Sequence, residues 1–511
     1  MKKIVVIGSG ISGMTCACAL ANKGYDVTVL EKHSVAGGYC QSFSRKGFRF
    51  AAAVHRIGGI HGRNSVDGIL SALGVKELPE WYTFHENVQV GDINFNMCNS
   101  SAADSLRELF PEDKEDIDRF EAEVDRINSI LDIIDKGANA GISKFSLTDL
   151  KVLDKYRKMS VDQFLRGIFT NEKIISLLVA ISDAMPGGAL FAFIRMVSFA
   201  NCGEETYQPV GGAGAIIDLL RKRIEELGGR VLLNSPAERI IMENGRAVGV
   251  VCKGEILRAD YIVSNCDLGF TIRELVGEEN VPQRVLEKIN TKFTESPSCF
   301  SVWIGLDKDI KSLGYEPKNI SYYPDAMSVL DDKAKLIGEH SVQRENDFLL
   351  ISLSANNDPT ACPEGKGQMM LGMLVNWDFE DMYKLRDTDR KLYREKKKAA
   401  AMNLVRKAER FFPGISEHIE VMEIASPVTF QRYTGNSKGA FGGYKCTPEL
   451  VENFSLLDCR QLVDGLFLTG HWGGVGDGVI FTTDVAMRVA DKILRCDHIE
   501  EIYDFSKNHS A

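Results

Sequence analysis

Short runs of β-branched and apolar residues punctuate the chain, each bounded by glycine, proline or polar residues. Lys3-Ile4-Val5-Val6-Ile7 is the first, and Val27 to Leu30, Arg230 to Asn234, Asp260 to Asn265 and Gly465 to Gly470 repeat the pattern. Runs that are apolar on both faces predict strands buried in a parallel sheet. Helices are predicted beside them over Ile11 to Lys23, Ala215 to Glu226 and Val479 to Leu494. In the first of these, Ala17 and Leu20 fall where a helix must pack closely on a sheet. Alternating apolar residues on both sides of Glu243-Asn244-Gly245-Arg246 predict a hairpin, because Asn-Gly supplies the positive φ angles of a tight turn.

This β–α pattern occupies three separated stretches of a 511-residue chain. A single core rarely grows past ~250–300 residues, so at least two domains are expected. The pattern predicts an α/β fold in which residues 1–65, 205–275 and 426–500 form one discontinuous Rossmann-type domain. Residues 66–204 and 276–425 would form an inserted α+β substrate-binding domain. Glu205-Thr206-Tyr207-Gln208-Pro209 reads as no strand, so Gly211 to Gly214 behind it is not expected to be a second nucleotide loop. The longest apolar stretch, Ile174 to Ala200, contains Asp183, Pro186-Gly187-Gly188 and Arg195, which argues against a bilayer span.

Composition narrows the partners. The chain is 44% hydrophobic and 26% charged, as in ordinary soluble proteins, and its net charge of −10 disfavours duplex nucleic acid as a ligand. Its twelve cysteines form no CxxC or CxxH pair, so neither a metal site nor a redox dithiol is signalled. After Met1-Lys2-Lys3 the chain enters a strand without a cleavable apolar region, which is read as a cytoplasmic protein with reduced thiols. The basic run from Arg390 to Lys398 lies on a helix predicted over Asp387 to Phe411. It reads as a solvated face, with contact to anionic lipid headgroups as the alternative. Oligomeric state is not legible.

The candidate chemistry starts at Gly8-Ser9-Gly10-Ile11-Ser12-Gly13, a GxGxxG between the first strand and the first helix. Gly8 permits the tight turn, Gly10 lets the backbone approach a pyrophosphate, and Gly13 lets helix and strand pack. The helix start at Ile11 and Ser12 offers free N–H groups and a partial positive charge. Glu31, 18 residues beyond Gly13 at the end of the second strand, suits the ribose hydroxyls, with Lys32 beside it. An acid there disfavours a 2′-phosphate, leaving FAD and NAD. Gly37-Gly38 gives a second close approach to phosphate.

The early GxGxxG, the acid and the GG doublet resemble the FAD-binding start of the amine oxidase and phytoene desaturase superfamily, which shares the glutathione-reductase-type FAD domain. The resemblance implies FAD, with Tyr39 standing where many members have Arg. It also implies that the backbone around Ala237 meets the adenine, and that Gly470, Gly478 and Val479 lie against the isoalloxazine. Gly47-Phe48-Arg49-Phe50 with Val54-His55, and Thr429 to Asn436 with Gly439-Ala440-Phe441-Gly442, resemble the phytoene desaturase and retinol saturase branch. That branch implies an FAD-dependent oxidoreductase that saturates or desaturates carbon–carbon bonds of a long hydrophobic isoprenoid, retinoid-like or acyl substrate. A redox-neutral double-bond isomerase and a flavin amine oxidase are the alternatives. The Leu190 to Met196 stripe reads as core or as substrate wall.

Four residues are candidates for proton steps. Asp477 in the last glycine-rich turn reads as an acid or base, or as a helix N-cap. His471 reads as a proton donor or a structural imidazole. His55 and Arg56 face the flavin, or Arg56 holds a phosphate or a substrate carboxylate. No GxSxG is present.

Overall fold

The computed structural model describes residues 1–58, 60, 65–96, 101–137, 146–182, 187–201, 206–330, 348–453, 462–474 and 478–499. Its first sheet contains five strands in the order Leu466–Leu468, Tyr261–Ser264, Lys3–Ile7, Asp26–Leu30 and Arg230–Leu232, all parallel. Strands from the front, middle and tail of the chain thus share one ladder, with Lys3–Ile7 at its centre. Helix Ile11–Asn22 packs against the sheet and touches both Gly214–Glu226 and Val479–Cys496. Ala17 and Leu20 are completely buried in that contact. A Cβ on Gly13 would lie 2.2 Å from the Gly8 carbonyl oxygen, so only glycine lets this helix sit so near the strand.

A three-stranded antiparallel sheet, Ala237–Glu243, Arg246–Cys252 and Glu255–Arg258, flanks the parallel one. Its first turn runs through Asn244 and Gly245 at φ 52° and 78°, as their sequence requires.

The second large sheet runs Ile419–Ala425, Ser298–Leu306, Gly367–Val375, Leu349–Ser352, Lys318–Tyr323, Trp81–Val90 and Ile93–Asn96. One face, built from Phe300, Val302, Ile351 and Leu371, is sealed by helix Arg390–Ala408. The segment expected to be non-strand is corrected here: Thr206–Pro209 is a strand, antiparallel to Trp81–Phe84. It belongs to the second sheet, so it does not supply the parallel strand a second nucleotide loop would need.

The apolar stretch Ile174 to Ala200 contributes to two helices, Glu172–Ile181 and Leu190–Asn201. Leu190, Phe193 and Ile194 are buried in a core of helix-borne side chains, which makes that stripe core packing. Among the described residues no helix is long and apolar enough to cross a membrane.

Candidate functional site

The first glycine loop and the last one meet. Ser12 Oγ donates to the Thr482 carbonyl at 2.7 Å, accepts from the Gly470 N–H at 2.9 Å, and lies 2.7 Å from the Thr469 hydroxyl. Asn265, at the end of the strand Tyr261–Ser264, fills the gap between the loops. With its amide oriented to satisfy its neighbours, its oxygen accepts from the N–H groups of Gly10 and Gly13, both at 3.3 Å. A Cβ on Gly10 or Gly470 would collide with that same amide, at 2.7 and 2.4 Å.

Among the described residues, neither helix that starts at these loops has a capping side chain. Ile11–Asn22 begins at Gly10 and Val479–Cys496 at Gly478, and Ile11, Ser12, Gly13 and Val479 are buried. Buried first-turn N–H groups call for a partner, and an anion is the partner that the helix start favours. Gly478 is the N-cap residue of the last helix. Asp477 itself lies outside the described residues.

Glu31 is buried at the edge of this loop. One carboxylate oxygen accepts from the Ser9 N–H at 2.9 Å and the Ser9 hydroxyl at 2.5 Å, the other from the His33 N–H at 2.8 Å. These bonds fix its direction and leave acceptor capacity for hydroxyl groups. Gly37 and Gly38, at φ 121° and 56°, lie on the same loop: Gly37 donates to the Ser9 carbonyl at 3.1 Å and pairs with Gly10 as an isolated bridge. Ser235 donates to the Glu31 carbonyl at 2.7 Å, which brings the start of strand Ala237–Glu243 beside Glu31. An acid, two helix starts at glycine and a glycine-lined gap between them fit a dinucleotide laid from Ala237 towards Gly470.

Two residues expected at the cofactor also contact the 427–442 segment. The Tyr39 hydroxyl donates to the Ala440 carbonyl at 2.9 Å, and its ring packs among Phe430, Phe441 and His471, so Tyr39 closes the loop on the 427–442 segment. Lys32 reaches towards the end of helix Pro427–Thr434, its Nζ 3.5 Å from the Arg432 carbonyl.

Beside the loops lies a small pocket with an internal volume of about 40 Å³, bounded by Ala51, Ala53, Val54 and His55 on one side and by Trp303, Met370 and Ser352 of the second sheet on the other. Trp303 Nε1 donates to the Ala51 carbonyl at 2.7 Å and ties the two walls together. Shielding from water lowers the His55 pKa to about 4, with a further contribution from the Arg56 charge. Burial alone lowers that of His471 to about 4. Both imidazoles are therefore neutral at ordinary pH. Arg56 is committed to the protein: its Nη1 pairs with Glu86 at 2.8 Å, which favours a structural guanidinium over one waiting for a phosphate.

Sequence reasoning missed Ser9, Asn265, Glu86 and Trp303. Asn265 carried a faint signal, a polar residue closing a buried strand; Glu86 pairs with Asn319 and Trp303 bonds to Ala51, partners far away in sequence.

Residues 11–480 match the family described as flavin containing amine oxidoreductase. The chain is 25% identical over 502 residues to all-trans-retinol 13,14-reductase of Danio rerio, covering 91% of this chain and 82% of that protein. It is 25% identical to the chloroplastic prolycopene isomerase of Daucus carota, over 93% of this chain and 77% of the other. It is also 25% identical to the neurosporene-forming phytoene desaturase of Cereibacter sphaeroides, over 96% and 94%. Among solved structures, an oxidoreductase from Methanosarcina mazei shares the fold at a TM-score of 0.58 and 18% identity, over 95% of this chain and 99% of the other.

Proposed function

The chain belongs to the flavin containing amine oxidoreductase family, and from that premise we propose that it adds or removes hydrogen across carbon–carbon double bonds of a long isoprenoid or polyene substrate. The observation that carries the proposal is the joining of the Gly8–Gly13 loop to Gly470 and Thr482 through Ser12, with a pocket beside it across which Trp303 is bonded to Ala51. Bound FAD supplies a hydride donor or acceptor; the protein's task is placement and exclusion of water.

The chain's own residues divide that task. The Gly8–Gly13 backbone and the start of helix Ile11–Asn22 hold the pyrophosphate, Gly37-Gly38 crowds against it, and Glu31 holds the ribose. Ala237 meets the adenine, and Gly470, Gly478 and Val479 bound the far end. His55 and His471, held neutral by their surroundings, rest in the proton-accepting form and would become imidazolium on taking a proton. The wall from Trp303 to Met370 supplies the apolar surface along which a chain lies.

The names of the three relatives cover reduction, desaturation and isomerisation at the same identity. That parity favours one second reading, a redox-neutral shift of double bonds. Peripheral contact with anionic lipid would bring such a substrate within reach. Arg390, Arg394 and Lys398 are exposed one helical turn apart on helix Arg390–Ala408. Lys396 and Lys397, which belong to the same basic run, turn to Glu380 and Thr429.

Anaerobic incubation of oxidised and of pre-reduced protein with phytoene, lycopene and all-trans-retinol, followed by mass spectrometry, tests the proposal. Gain or loss of two hydrogens in any of them supports it. An isomer of unchanged mass supports the second reading, and recovery of all three substrates untouched overturns both.

A further inference from the structure

Across the second sheet, the strand register pairs Glu86 with Asn319, Asn319 with Ser352, Ser352 with Met370 and Met370 with Trp303. Paired residues project from the same face at steps of ~4.8 Å, so these five form a single row across the sheet. Trp303, Met370 and Ser352 are on the cavity wall. Behind Ser352 the row continues into Asn319, which is fully buried, and Glu86, which is 1% exposed.

The far end of the row is chemically unfinished. Glu86 Oε1 accepts from Arg56 at 2.8 Å, but Glu86 Oε2 has no hydrogen-bond partner, and neither Oδ1 nor Nδ2 of Asn319 has one. Leucine at position 319 would bury as much surface with no polar atom left unpaired. Adjacent positions of one row therefore carry two acceptors and a donor that the folded chain does not use, immediately beyond the part of the row that meets the cavity.

Resting on the reading of this cavity as the site for a long hydrophobic substrate, we propose that the row selects a substrate whose chain ends in a hydroxyl. The apolar chain lies along Trp303 and Met370. Its hydroxyl passes Ser352, donates to Glu86 Oε2 or Asn319 Oδ1, and accepts from Asn319 Nδ2. A carboxylate end would meet the Glu86 carboxylate, whose Arg56 partner is already engaged. An ether or a hydrocarbon end has no proton to donate and leaves the acceptors unpaired.

Binding of three probes to the flavin-loaded protein tests this, read by quenching of tryptophan fluorescence: all-trans-retinol, its methyl ether, and retinoic acid. The alcohol is expected to bind tighter than the other two by about tenfold or more, since a site built to pair a hydroxyl rejects analogues that lack it. Asn319→Leu should erase that preference, leave the ether's affinity unchanged and not lower the melting temperature. A residue that only supported the fold would lower it. Asn319→Ala gives the same affinity readout should leucine fail to fold. Equal binding of all three probes by the wild type, or an alcohol preference that survives in the variants, overturns the inference alone. If no probe binds while flavin remains bound, the hydrophobic-substrate reading fails and takes the inference with it.

Discussion

Replacing Ser12 by alanine removes a hydroxyl that joins the first and last glycine loops. In the wild type that oxygen accepts from the buried Gly470 N–H and faces the fully buried Thr469 hydroxyl, while its proton goes to the Thr482 carbonyl. Alanine leaves the Gly470 N–H with no acceptor, at about 1–3 kcal/mol, and loses the bond to Thr482, at about 1 kcal/mol more. The expected loss is about 2–4 kcal/mol, or roughly 5–10 °C in melting temperature for a domain of this size. Loss of the clasp also loosens the gap that FAD must span. Its dissociation constant, measured by titrating FAD into apoprotein, should rise by about tenfold or more, equivalent to ~1.4 kcal/mol. A melting temperature within about 2 °C of wild type, together with unchanged FAD affinity, would refute the reasoning.

Other perturbations separate the remaining roles. His55 and His471 have folded pKa values of about 4, against 6.5 as the ordinary value. Between these limits the unfolded chain takes up protons that the folded one refuses, so stability should fall as pH drops from 6.5 towards 4; replacing both residues by glutamine should flatten that slope in pH-dependent thermal melts. Glu86→Ala removes the buried carboxylate that pairs with Arg56 and should cost about 3 kcal/mol or more in urea unfolding; a loss below ~1 kcal/mol would show that the pair is effectively solvated. Changing Arg390, Arg394 and Lys398 together to glutamine should reduce sedimentation with anionic vesicles, and unchanged sedimentation would dismiss that face as a lipid contact.

The parallel sheet was legible because each of its strands announces itself locally: β-branched runs, glycines at the turns, and an Asn-Gly hairpin whose backbone needs no tertiary help. The front and tail loops were legible for the same reason. What joins them was not. The Ser12 to Gly470 bond spans 458 residues, and a serine after GxG reads equally well as a solvent-facing residue of a helix start. Thr206–Pro209 was missed because a four-residue edge strand ending in proline has neither length nor alternation; its pairing with Trp81–Phe84 comes from the assembled second sheet. The packing of the Tyr39 ring against Phe430 and Phe441 was not legible either, because those residues are distant in sequence. The Glu86, Asn319 and Ser352 row is invisible in the same way: each residue looks ordinary in its own strand, and only the register makes them neighbours.

Flavin content tests the central claim most directly, that the two ends of the chain hold one dinucleotide between them. Denaturing the purified protein and quantifying the released flavin by chromatography should give one FAD per chain for the wild type. A correctly folded Gly10→Val variant, whose side chain fills the approach beside Asn265, should give almost none. A wild type that carries no FAD, or a folded Gly10→Val protein that carries a full complement, would contradict the account.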